Sequence, residues 1–128
     1  MIKTAAQLVQ EVKQIIAEIS TSELAKRKAD DILLVDVREP DEYAQGHIGS
    51  AINIPRGVLE MQLPQHPKVQ SWASPLEQLN AVDIYLICRS GARSALAAES
   101  LSRLGLRRVY SISGGMVDWQ QEGFSVVS

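Results

Sequence analysis

The sequence predicts an α/β fold built on a mainly parallel sheet of four or five strands, with helices on both faces. Residues 32–36, 51–54, 82–87 and 109–112 are short apolar runs rich in β-branched and aromatic side chains, as expected of strands buried on both faces. Stretches with helical spacing or helix-start signals lie between them, and that alternation favours parallel pairing. With 128 residues and 45% hydrophobic content, the chain suits one core of ordinary size.

Residues 4–18 read as a helix. Thr4 and Gln7 have capping-box spacing, and Leu8, Val12, Ile15, Ile16 and Ile19 fall on one apolar stripe. Residues 1–18 are therefore read as a helical extension packed on a domain of residues 19–128. The same stripe offers a contact for a weak homodimer as the alternative to a monomer. Residues 19–20 form a short edge strand. Ser20 and Glu23 repeat the capping-box spacing and start a helix through about residue 29. Asp30 and Asp31 turn into the strand 32–36. Pro40 suits a first helical turn, and Gly46 ends that helix. Pro55 stops the strand 51–54, and residues 56–61 make a short helix. Residues 63–74 carry Pro64 and Pro67 and are the least regular, with Trp72 anchoring them to the core. A helical turn at 75–79 precedes the strand 82–87. Alanine and leucine then favour a helix to Leu104, with Leu96, Leu101 and Leu104 inward and Gly105 as terminator. After the strand 109–112, Gly114 and Gly115 turn tightly into a last helix, which contains Trp119 and is closed by Gly123.

Cys88, the only cysteine, falls at the C-terminal end of the strand 82–87 and just before a helix. In open α/β sheets ligands bind at that edge, where free amides and the positive end of the helix dipole collect. The thiolate is the nucleophilic form of cysteine, and inward N–H groups with Arg89 and Arg93 nearby favour it. Gly91 lets the loop curl around one atom, and the hydroxyls of Ser90 and Ser94 are donors for a sulfur anion. A lone cysteine is ordinarily a buried structural residue. Here the turn, the two arginines and the helix start favour the reactive reading. Neither histidine is close in sequence: His47 is a candidate general base, and His66 reads as a loop residue. Without a cysteine pair or grouped carboxylates, they make no metal site.

The segment Cys88-Arg89-Ser90-Gly91-Ala92-Arg93-Ser94 resembles the active-site loop of the rhodanese family of sulfurtransferases. Three further blocks match in order. Residues 33–38 (LLVDVR) resemble the family's LxDVR strand end. Glu42-Tyr43, Gly46-His47-Ile48 and Ala51-Ile52-Asn53-Ile54-Pro55 resemble its EY…GHIxGAxNIP segment, and residues 114–119 (GGMVDW) its closing GGxxxW. The resemblance runs from about residue 19 to 126 and implies a three-layer fold. It implies Cys88 as nucleophile and persulfide carrier, with Arg89, Ser90, Gly91, Ala92 and Arg93 as the cradle. Ser94, Asp36 and Arg38 are supporting residues, the last two tying neighbouring loops together. Gly49-Ser50 departs from the family's usual Pro-Gly. Glu42 stands where some two-domain members have a substrate-contacting arginine.

The expected activity is transfer of sulfane sulfur from a donor such as thiosulfate to a thiol or cyanide, with no metal or organic cofactor. The alternatives are a sulfur carrier or regulatory binding module, and a cysteine phosphatase or arsenate reductase. Related phosphatases use C-x5-R, whereas Cys88 to Arg93 is C-x4-R, a tighter loop suited to one sulfur atom. A net charge of −2 predicts no attraction to nucleic acid or anionic membrane. No stretch has signal-peptide or membrane-spanning character, so the cytoplasm is the expected location.

Overall fold

The computed structural model describes residues 1–128 and contains five strands: β1 (Ala17–Ile19), β2 (Ile32–Asp36), β3 (Ile52–Asn53), β4 (Asp83–Ile87) and β5 (Val109–Ile112). All pair in parallel in one sheet, ordered β1-β5-β4-β2-β3. The central pair matches Ile32 with Asp83 through to Asp36 with Ile87, so β2 and β4 end level. Eight helices accompany the sheet: α1 (Ala5–Lys13), α2 (Thr21–Ala25), α3 (Pro40–Gln45), α4 (Leu59–Gln62), α5 (Pro67–Gln70), α6 (Pro75–Leu79), α7 (Ala92–Ser102) and α8 (Gly115–Gln121).

Side-chain alternation along the strands divides the core into two layers. Leu33, Val35, Ile84, Leu86 and Val109 face one side, against Ala97, Ala98 and Leu101 of α7 and Leu59, Leu63, Val69 and Leu79. Ile32, Leu34, Tyr85, Ile87 and Ile112 face the other, against Leu24 of α2 and Met116 and Trp119 of α8. The result is the expected three-layer arrangement with a fully parallel sheet. Full burial of each large aliphatic side chain contributes about 1.5–3 kcal/mol, so the central strands are where the fold is held most firmly. The chain's end is drawn in as well. The Trp119 indole donates to the Ser125 carbonyl (3.0 Å), and His47 and Val127 exchange backbone hydrogen bonds. No helix is long and apolar enough to cross a membrane.

Several boundaries differ from those read in the sequence. The first helix starts with the expected capping box, in which the Thr4 hydroxyl accepts from the Gln7 amide, but it ends at Lys13 rather than near residue 18. Ala17–Ile19 pairs with residues 110–112 of β5 instead. Ile19 suits an extended ladder, for which the edge of β5 supplies the partner, while Ile15 and Ile16 lie in the turn between α1 and β1. The apolar stripe is broken accordingly: Val12 is buried, whereas Leu8 and Ile15 are exposed. The second helix stops at Ala25, and residues 29–31 form a 3₁₀ turn. The charged run Lys26-Arg27-Lys28 has no apolar face to bury. Strand β3 has two residues rather than four. Leu104 lies beyond the end of α7 and is exposed, although Leu101 is fully buried. Trp72 packs against the core as expected.

Helix α1 packs on α7, and Val12 is its one buried side chain. Val12→Ala is expected to lower stability by about 1–3 kcal/mol, and Leu8→Ser to stay within about 0.5 kcal/mol. Urea denaturation of the two variants checks this. Equal losses would show that the helix docks through another face.

Candidate active site

The strand ends bring the site together. Asp36 closes β2, Cys88 follows β4, and Ser113 follows β5, all on one edge of the sheet. Cys88 continues the alternation of β4 into the layer beneath α7 and is 1% exposed. Its sulfur accepts hydrogen bonds from the backbone N–H of Gly91 (3.1 Å) and of Ser94 (3.4 Å). The Ser94 hydroxyl lies 3.4 Å from the sulfur and 2.7 Å from the Ser111 hydroxyl, and all three groups are buried. The Cys88 thiol donates to the Ser94 hydroxyl oxygen, which is in turn bonded to the Ser111 hydroxyl. When the sulfur is anionic, Ser94 donates to it and Ser111 donates to Ser94.

Two glycines permit the loop. Gly91 has φ +106° and caps α7, turning its own amide onto the sulfur. Gly115 has φ +53°, and a Cβ there would stand 2.4 Å from the Cys88 carbonyl oxygen and 2.6 Å from that of Arg89. Those two carbonyls accept from the amides of Met116 (2.9 Å) and Val117 (3.0 Å) in the first turn of α8. The loop is therefore fixed from outside by the start of α8 and from inside by the start of α7.

The arginines are placed differently from one another. Arg38, buried beside a fully buried Asp36, donates from Nη2 to Asp36 Oδ2 (2.8 Å) and from Nε to Oδ1 (3.0 Å). Its Nη2 also donates to the Gly46 carbonyl (2.8 Å). The Asn53 amide donates to the Asp36 and Arg38 carbonyls. This pair ties the loop after β2 to α3 and β3. Arg93 donates from both terminal nitrogens to Glu42 of α3, at 2.6 and 2.9 Å. Hydrogen bonding to Arg93 holds the Glu42 carboxyl down to about 2 from an ordinary 4.5. The same pairing raises Arg93. Arg89 and Ser90 are exposed, and Arg89 makes no ion pair. It lines a cleft of about 390 Å³ together with Arg38, Glu42, Gln45, Gly46 and Gln120.

Of the residues expected from the sequence, Gly91 and Ser94 meet Cys88 directly. Ala92 opens α7, and Arg89 and Ser90 stand at the mouth. Ser111 was not foreseen, although a serine inside the apolar run of β5 is a visible anomaly. Lys13 was missed too. It pairs with Glu18 (2.9 Å), and its ammonium is 3.6 Å from where a Cβ on Gly91 would lie. His47 stacks on Tyr43 and bonds its carbonyl through Nδ1 (2.8 Å), as a satisfied structural histidine does. His66 is buried and caps α5, accepting from the Lys68 amide through Nδ1. Burial, with Lys68 beside it, lowers its pKa.

Comparison with known proteins gives a consistent picture. The family model of the rhodanese-like domain matches residues 20–122. A protein of Allochromatium vinosum named a sulfurtransferase is 35% identical over 115 residues, covering 88% of this chain and 96% of that one. A crystal structure of a rhodanese-related protein from Thermoplasma volcanium aligns with TM-score 0.69 and 32% identity, over 87% of this chain and 97% of that one. A Rhodopseudomonas palustris protein described as of unknown function and a possible tyrosine phosphatase aligns with TM-score 0.81 and 30% identity. That alignment covers 99% of this chain and 96% of that one.

Two outcomes are expected. Ser111→Ala leaves Ser94 without its hydroxyl partner and should slow alkylation of Cys88 by iodoacetamide about 2- to 5-fold at neutral pH, with Ser111→Thr restoring most of the rate. An unchanged rate in Ser111→Ala would make that hydroxyl chain irrelevant to the sulfur. The second outcome concerns acid. Because the folded pKa of Glu42 is depressed, its pairing stabilises the fold fully above about pH 4.5 and is lost as pH falls toward 2. The stability difference between the wild type and Glu42→Gln should therefore be largest above pH 4.5 and shrink toward pH 2 in urea titrations.

Proposed function

The chain belongs to the rhodanese-like domain family, and we propose that it is a sulfurtransferase that carries sulfane sulfur as a Cys88 persulfide. The observation that carries this reading is the loop's convergence on one sulfur atom: the Gly91 and Ser94 amides, with the Ser94 hydroxyl, all reach Cys88 Sγ. Such groups offer stabilisation to the anionic persulfide formed on transfer. The Cys88 thiolate attacks the outer sulfur of a donor such as thiosulfate. A new S–S bond forms, the donor's S–S bond breaks, and sulfite leaves with the electron pair. A thiol or cyanide then removes the outer sulfur and returns the thiolate, in ping-pong order. The residues between Cys88 and Arg93 form the wall of the site, with Arg89 at its mouth.

The phosphatase reading, which the description of the Rhodopseudomonas palustris protein raises, has less support here. Phosphoryl transfer needs an arginine fork free to grip the equatorial oxygens. Arg93 has its charge offset by Glu42, which takes one N–H from each terminal nitrogen.

Thiosulfate should make the intact protein heavier by one sulfur atom, and dithiothreitol should reverse the gain. Cys88→Ser should abolish both the adduct and turnover with cyanide as acceptor. Undiminished turnover in that variant would overturn the assignment. An adduct without turnover would point to a carrier, and hydrolysis of p-nitrophenyl phosphate to a phosphatase.

A further inference from the structure

Three arginines stand at the candidate site, and two have their charge neutralised by a dedicated carboxylate. Arg38 is paired with the fully buried Asp36. Arg93 is paired with Glu42 in a two-pronged geometry. Arg89 alone is unpaired, and no lysine or histidine lines the cleft. The mouth therefore presents about one net positive charge, although the sequence of the loop promises two. Thiosulfate carries two negative charges. The cleft beside the loop holds about 390 Å³ and is lined by the amide side chains of Gln45 and Gln120, which suit the neutral polar body of an organic molecule.

We propose that Glu42 is a specificity-determining residue that, by occupying Arg93, matches the site to singly charged organic sulfane-sulfur donors over dianionic thiosulfate. The proposal deepens the sulfurtransferase reading and rests on it. A donor of this class is an organic persulfide or thiosulfonate, R–S–S⁻ or R–SO₂–S⁻. The Cys88 thiolate attacks the terminal sulfur and forms the Cys88 S–S bond. The bond from that sulfur to the rest of the donor breaks, and the thiolate or sulfinate leaves with the electron pair. Charge is conserved, because the new persulfide and the leaving group each carry one negative charge.

Thiosulfate and methanethiosulfonate make a clean pair of probes, since a methyl group replaces one charged oxygen. Replacing Glu42 with Gln adds one unit of positive charge to the mouth, and a fixed potential acts on a dianion with twice the energy it exerts on a monoanion. If Glu42→Gln raises kcat/KM for methanethiosulfonate by about 3-fold, the same potential raises it for thiosulfate by about tenfold, the square of that factor. The gain should fall mainly in KM and diminish at high salt. Glu42→Asp, which keeps the charge, should retain the wild-type ratio of the two donors. Equal factors for both donors in Glu42→Gln, whether gains or losses, would make Glu42 a brace for Arg93 and overturn the proposal. Formation of no persulfide by the wild type from either donor would overturn the sulfurtransferase reading itself.

Discussion

The loop around Cys88 depends on a backbone contact that leaves no room for a side chain at residue 115. The Cys88 and Arg89 carbonyls meet the first amides of α8 across Gly115, whose Cα lies where any other residue would place a Cβ against those oxygens. With the carbonyls directed outward, the amides of Gly91 and Ser94 turn inward onto the sulfur. The two helix starts are held by different halves of the core. Helix α7 packs through Ala97, Ala98 and Leu101 on one face, and α8 through Met116 and Trp119 on the other. The loop is thus clamped between two independently buried elements, which removes from the donor-binding step the cost of ordering it.

That clamp explains which parts of the molecule were legible in the sequence. The strands at 32–36, 83–87 and 109–112 were visible because burial on both faces demands continuous apolar runs. Cys88, Gly91 and the Gly114-Gly115 turn were visible because each sits where the backbone must do something unusual next to a reactive atom. The first helix ends earlier than its apolar spacing predicts, because Ile15 and Ile16 lie in a turn and Ile19 pairs with the edge of β5, a partner that spacing does not reveal. The partner of Arg93 was not legible: Glu42 lies 51 residues away and meets it only after α3 has folded against the start of α7. Ser111 illustrates the same limit, since its hydroxyl gains meaning only once β5 and α7 pack together.

The ion pairs around the site act on function more than on stability. Arg93 and Glu42 are each about one-third exposed, and pairs so close to solvent contribute little to folding. Asp36 and Arg38 differ. They are buried, and the guanidinium is also bonded to the Gly46 carbonyl, so losing one partner would strand a charge in the interior at a cost of about 3–5 kcal/mol. One pair holds the loop after β2 in place, and the other offsets the charge of Arg93 beside the cleft. In both cases an arginine that looks available in the sequence is committed in the fold.

Loop length and charge then converge on one chemistry. A phosphate presents several anionic oxygens and needs a ring of amides completed by a free guanidinium. A persulfide presents one terminal sulfur, for which a few inward amides and a hydroxyl suffice. Four residues separate Cys88 from Arg93, a short loop for the larger ligand, and Glu42 offsets the Arg93 charge and occupies two of its five N–H donors. The donors that remain are directed at the cysteine sulfur itself. They are two backbone N–H groups, which no side-chain substitution deletes, while the thiol itself donates to the Ser94 hydroxyl that Ser111 supports. In the proposed sulfurtransferase, stabilisation of the sulfur then rests chiefly on the geometry of the chain, since the two amides that reach Cys88 are fixed by the starts of α7 and α8.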